Sequence, residues 1–163
     1  MMSIYPDRKG TVMSQSYDVL LICSGGGHWV QMSKLLPAFD GQKVNIATVD
    51  ISVHSQYPLH DFVKVPDFNR SEPLKIIKGF YQIFNIVYHS KAKYVISTGA
   101  APGLLGLIAA KIMGKKTLWI DSIANPKKIS LSGRIASYFV DELLTQWPTL
   151  SENSRAQYKG RIV

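Results

Sequence analysis

The chain has 163 residues, 46% of them hydrophobic and 18% charged, which excludes a disordered polypeptide and gives one domain with a core of its own. Its single cysteine excludes an internal disulfide and a cysteine-built zinc cluster, and fits a reducing, cytoplasmic setting. A formal net charge of +8 and a pI near 9.6 point to an anionic partner: a nucleic acid, an anionic membrane face or a phosphorylated ligand.

Residues 1–16 carry Asp7, Arg8 and Lys9 without an apolar core and read as a flexible tail rather than a signal peptide. The domain is expected over residues 17–163. Residues 18–23 (DVLLIC) form a short apolar run, the pattern of a strand covered on both faces. The glycine loop 24–27 follows, and Val30, Leu35, Leu36 and Phe39 then recur at helical spacing until Asp40-Gly41 stops the helix. Residues 43–48 predict a second strand, 50–60 a polar loop and 61–65 a third strand. A long apolar helix is expected over 73–90, a fourth strand over 94–97 and a helix over 102–113. A fifth strand (117–120), a short helix (133–140), a sixth strand (142–145) and one helical turn after Pro148 complete the chain. The longest charge-free apolar stretch, residues 94–110, is broken by Gly99, Pro102 and Gly103, so it reads as strand, turn and helix rather than a membrane span.

Strands alternating with helices imply an α/β fold: a single Rossmann-like domain with a parallel sheet wound by right-handed crossovers. The order 3-2-1-4-5-6 sets the first and fourth strands side by side at the topological switch point. Their outgoing loops then share one crevice, and both loops are glycine-rich.

The first of these loops, Ser24-Gly25-Gly26-Gly27-His28, lets the backbone approach a ligand closely and opens a helix whose free N–H groups favour an anion. It matches neither the GxGxxG dinucleotide fingerprint nor a phosphate loop, and it is also open to reading as a plain tight turn. The second, Thr98-Gly99-Ala100-Ala101-Pro102-Gly103, is either a connection or the opposite wall of an anion or sugar site. His28 has the chemistry of a general base, or else it caps the helix and bonds the neighbouring loop. Asp121, with Ser122 and Asn125, is placed on the same rim, either to orient a sugar hydroxyl or hold His28 in one tautomer, or to cap the turn before Pro126. Cys23 reads as a core residue, and His54, His60 and His89 show no metal-ligand spacing. No motif asks for a metal or another cofactor.

Within residues 73–93, Leu74, Ile77, Phe80, Tyr81, Phe84 and Val87 form an apolar surface that Ile76, Ile83 and Ile86 widen, flanked by Lys75, Lys78, Lys91 and Lys93. A core helix explains the stripe; a helix dipping into an anionic membrane face through Ile76, Phe80, Ile83, Lys75 and Lys78 explains its breadth. Lys127, Lys128 and Arg134 either add headgroup or phosphate contacts or lie on a solvated loop.

Taken in order, SGGGH with Gln31-Met32, STGAAPG, WIDS, SLSGR and QWP resemble the asparagine-linked glycosylation subunit fourteen family and its bacterial capsule and exopolysaccharide relatives. More distantly the layout is similar to the N-terminal half of the peptidoglycan N-acetylglucosaminyl transferase, a GT-B enzyme. The resemblance implies the acceptor-side subunit of a two-chain, UDP-sugar-dependent glycosyltransferase acting on a polyprenyl-diphosphate-linked glycan, inactive alone. The UDP-sugar donor would be bound mainly by the partner chain. Residues Ser24, Gly25, Gly26, Gly27, Thr98, Gly99, Ala100, Gly103 and Ser122 would then face the acceptor, with His28 or Asp121 as base. Residues 148–163 would bridge toward the partner. The family's N-terminal membrane anchor is not expected here, so peripheral attachment to the inner face of the cell membrane is. The rival readings are a non-catalytic scaffold for a self-sufficient transferase and a plain nucleotide-binding Rossmann protein. Nucleic-acid binding finds no motif.

Overall fold

The computed structural model describes residues 16–67 and 73–162, with the side chains of residues 73–75 left out. Apart from Ser16, the expected N-terminal tail lies outside the described residues. The sheet has seven strands in the order β3-β2-β1-β4-β5-β6-β7. They are β1 (Val19–Cys23), β2 (Val44–Thr48), β3 (Asp61–Lys64), β4 (Tyr94–Ser97), β5 (Lys116–Ile120), β6 (Glu142–Thr145) and β7 (Gln157–Tyr158). Every pairing is parallel. The expected order of the first six strands holds, with β1 and β4 paired at the switch point.

The α-helices are α1 (Gly27–Leu35), α2 (Pro73–Ser90), α3 (Ala100–Ile112), α4 (Leu131–Ala136) and α5 (Pro148–Glu152). Helix α1 stops earlier than its apolar spacing suggests. Pro37 has no N–H to give the i→i−4 ladder, and residues Leu36–Phe39 tighten into a 3-10 turn instead. The expected polar loop after β2 contains another 3-10 helix, Ile51–Gln56, capped by Asp50, which accepts from Ser52 N at 2.9 Å. Hydrogen bonding from the Ser52 side chain, and then from its backbone N–H, holds the Asp50 carboxyl below the usual carboxylate range.

Strand β1 shows why the domain folds as it does. All five residues are buried, and they alternate between the two faces of the sheet. Leu20 and Ile22 join Ile83 and Val87 of α2 and Leu107 and Ala110 of α3 on one side. Val19, Leu21 and Cys23 join Trp29, Met32 and Leu36 on the other. Each large side chain so buried stabilises the fold by about 1.5–3 kcal/mol. Burial of Cys23 pushes its thiol up to about 12, so it stays neutral in the core as expected. Gly103 lets α3 lie directly against the sheet, because a Cβ there would strike Ser97 and approach the Ile22 carbonyl.

At the far end of the sheet, Asp141 accepts from Lys111 Nζ at 2.7 Å, from Thr117 N at 2.8 Å and from Thr117 Oγ1 at 2.9 Å. These donors, Lys111 foremost, lower its carboxyl to about 2. In the C-terminal segment β7 extends the sheet beside β6, and Ile162 packs on the core layer beneath α1.

Candidate functional site

The loops leaving β1 and β4 are joined by a reciprocal pair of hydrogen bonds. His28 Nδ1 donates to the Thr98 carbonyl at 2.9 Å, and Thr98 Oγ1 donates to the His28 carbonyl at 2.8 Å. A carbonyl only accepts, so Nδ1 carries a proton, and in the neutral form of the ring the lone pair is therefore on Nε2. Nε2 has no hydrogen-bond partner among the described residues. The imidazole lies on Gly99, whose φ of 137° is open to glycine alone. A Cβ at that position would fall on the ring.

Around this pair, two helix N-termini point at one crevice. Helix α1 begins after Gly26 and α3 after Gly99, and neither has a side-chain cap. Gly26 and Gly27 are exposed, and Ser24, Gly25, His28 and Ala100 are half-buried. The peptide N–H groups at the start of α1 are therefore available to an anion. Lys127 and Lys128 are exposed on the loop after β5, on the same rim.

Four of the residues expected at the acceptor site have little exposed surface. Thr98, Gly99, Gly103 and Ser122 are all buried, and each serves the shape of the loops. Ser122 Oγ accepts from Gln31 Nε2 at 2.9 Å and from Ala124 N at 3.2 Å.

Asp121 is enclosed as well, and the hydrogen bonds of its carboxylate run to its own strand and loop, as the turn-capping alternative expects, with none to His28. The carboxylate is 1% exposed and surrounded by donors: Trp119 Nε1 at 3.0 Å, Ser130 Oγ at 2.5 Å, Ser130 N at 3.0 Å and Asn125 Nδ2 at 3.2 Å. A buried carboxylate is tolerated only with such compensation. It folds loop 122–130 back onto the start of α4, and its oxygens are spent on that task rather than on an acceptor hydroxyl.

A buried amide network stands out that the motifs alone did not assign. Gln31 Oε1 accepts from Gln146 Nε2 at 2.6 Å and from Ile123 N at 3.1 Å. Gln146 Nε2 also donates to the Asp121 carbonyl at 3.0 Å, and its Oε1 accepts from Ile162 N at 2.9 Å. Trp147 Nε1 donates to the Ile123 carbonyl at 2.8 Å, with the Arg161 guanidinium 4.7 Å above its ring centroid. The network ties α1, the loop after β5 and the C-terminal segment into one body. The signal was present in Gln31, a polar residue within the first predicted helix, and in QWP, just after the sixth predicted strand.

On α2 the expected membrane residues divide. Ile83 is fully buried in the core and Phe80 packs against it, so neither forms an outer face. Ile76 is half-buried and Lys78 exposed, and the Lys75 side chain lies outside the described residues. The outward apolar residues are Ile77, Tyr81 and Tyr88, at 68%, 67% and 62% exposure, and their spacing keeps them on one face. No helix among the described residues is long and apolar enough to cross a membrane.

Similarity to known proteins follows this architecture. The chain is 25% identical over 182 residues to the rat UDP-N-acetylglucosamine transferase subunit ALG14, covering 91% of this chain and 84% of the relative. A fission-yeast protein of the same name shares 47% identity over 62 residues, 36% of this chain and 29% of that one. Among solved structures, Acinetobacter baumannii MurG superposes with a TM-score of 0.72 at 13% identity, over 88% of this chain. The chain spans less than half of that structure, 45% of its length, and so has the fold of one Rossmann-like half of a GT-B glycosyltransferase. The model of the family described as "Oligosaccharide biosynthesis protein Alg14 like" matches residues 64–162, more than half of the sequence, and the chain belongs to that family.

Proposed function

We propose that this chain is the acceptor-binding subunit of a two-chain UDP-N-acetylglucosamine transferase that extends a polyprenyl-diphosphate-linked sugar. The name shared by its relatives, a UDP-N-acetylglucosamine transferase subunit, supports both the donor sugar and a partner chain. The observation that carries the acceptor role is the His28–Thr98 pair, which leaves an unpartnered Nε2 between two open helix N-termini. In this reading the acceptor hydroxyl oxygen attacks the anomeric carbon of the donor, UDP leaves from the opposite side, and Nε2 takes the hydroxyl proton. The N–H groups of Gly27, His28 and Trp29, with Lys127 and Lys128 on the rim, hold the acceptor diphosphate. The setting we propose is assembly of a lipid-linked oligosaccharide at an anionic, cytoplasmic membrane face, with Ile77, Tyr81 and Tyr88 of α2 against the lipid. The bacterial resemblance alone supports capsule or exopolysaccharide as its product.

Equilibrium binding tests the division of labour. The isolated chain is expected to bind a short-chain prenyl-diphosphate N-acetylglucosamine and to leave UDP-N-acetylglucosamine largely unbound. Preference for the nucleotide sugar would overturn the acceptor role. In the assembled complex, His28→Ala is expected to lower turnover about 100-fold or more; turnover within a few-fold of wild type would make His28 structural.

A further inference from the structure

Thr98 is fully buried, so no ligand reaches it, yet its carbonyl and its hydroxyl are both directed at His28. Its carbonyl, one residue past the end of β4, takes no part in the strand ladder and accepts from His28 Nδ1. Its hydroxyl holds the His28 backbone in place. The peptide that carries the carbonyl is itself fixed from the next residue, because Gly99 N donates to Ser97 Oγ at 3.1 Å. The φ values of 137° at Gly99 and 63° at Ala100 place this turn in backbone regions that side chains avoid. Such a turn persists only where its surroundings hold it, and here they hold an acceptor against one ring nitrogen.

We infer that Thr98 is a positioning residue: it locks His28 in the Nδ1–H tautomer, so that the Nε2 lone pair faces the crevice between the two loops. The tautomer of a histidine is set by the hydrogen bond its other nitrogen makes. A ring freed from the Thr98 carbonyl carries its proton on either nitrogen, and with the proton on Nε2 it becomes a donor and loses its function as a base. The inference rests on the proposed role of His28 only for its kinetic consequence; the tautomer is observable without turnover.

The test uses the full-length chain labelled with 15N-histidine and read by long-range proton–nitrogen correlation, together with kinetics of the assembled two-chain complex. Wild type is expected to show His28 as the Nδ1–H tautomer. Thr98→Val keeps the buried shape and the main-chain carbonyl but removes the hydroxyl that anchors the His28 backbone, so the ring is no longer held against that carbonyl; it is expected to give a tautomer mixture and lower kcat about tenfold, with KM for the acceptor within about twofold. Thr98→Ser restores the hydroxyl and is expected to recover both. A wild-type Nε2–H signature overturns the inference even if no variant folds. So does a folded Thr98→Val protein with the wild-type tautomer. A shifted tautomer with unchanged kcat supports the positioning role and removes His28 from the chemistry instead.

Discussion

Ser130 Oγ donates to Asp121 Oδ1 at 2.5 Å and accepts from Gly133 N at 2.9 Å, so one hydroxyl links a buried carboxylate to the first turn of a helix. The link closes the loop between β5 and α4 and sets the rim on which Lys127 and Lys128 stand. It also decides what Asp121 is for. With Trp119, Asn125 and the Ser130 amide also donating, both oxygens face donors.

Asp121→Asn is therefore expected to destabilise the fold by about 2–4 kcal/mol. Whichever oxygen becomes an amide nitrogen, it places a donor against donors. Urea unfolding followed by tryptophan fluorescence measures the loss. A wild-type midpoint combined with a dead complex would return Asp121 to the chemistry.

The two glycine loops are expected to respond differently to a methyl group. At Gly27 a Cβ meets nothing within 4 Å, and alanine favours a helix over glycine by up to about 1 kcal/mol. Gly27→Ala should melt at or slightly above the wild-type temperature while weakening acceptor binding. Gly99→Ala should cost about 1–3 kcal/mol through its backbone conformation alone, and more through the collision with His28. Calorimetry paired with acceptor titration separates the two; equal loss of stability would contradict the site drawn here.

Asp141 gives the fold an acid-sensitive contact. Its carboxyl sits at about 2 when folded against an ordinary 3.8, so its stabilising contribution is present above about pH 4. That contribution is lost as pH falls from about 4 to about 2. Asp141→Asn should thus destabilise the protein at pH 6 and differ less from wild type at pH 3, as read by urea midpoints. A gap that widens toward pH 3 would reverse the assignment.

Sequence patterning revealed most of the architecture because buried parallel strands are nearly all apolar. Residues 18–23 and 94–97 identified themselves and, with the glycine loops, the switch point. Strand β7 did not, since Gln157 and Tyr158 are both exposed and no apolar pattern marks them. The 3-10 helix Ile51–Gln56 was hidden for the same reason, having no buried residue. Helix α2 was found with its ends, but its apolar residues cover so much of the circumference that spacing could not show Ile83 facing inward and Tyr81 outward. At the site, His28 was legible from its place after three glycines. The hydrogen bonds of Asp121 were not, because WIDS and SLSGR are separate motifs and nothing in their spacing shows that Ser130, nine positions on, folds back onto the carboxylate.

For α2, replacing Ile77 and Tyr81 together by serine should leave the melting temperature near wild type and reduce sedimentation with anionic phospholipid vesicles. Each buried side chain of this size contributes about 1.5–3 kcal/mol, so the loss should be about tenfold or more. Ile83→Ser should behave oppositely, costing about 3 kcal/mol of stability. Undiminished vesicle binding by the double variant would remove this helix as the membrane face.

The central claim, half an enzyme that supplies the acceptor site, is tested most directly by reconstitution. Transfer of N-acetylglucosamine to a prenyl-diphosphate acceptor should be measured with this chain alone, with a separate donor-binding chain alone, and with both. Turnover is expected only for the pair, and is lost again on His28→Ala within an intact complex. Full turnover by either chain alone would contradict the claim.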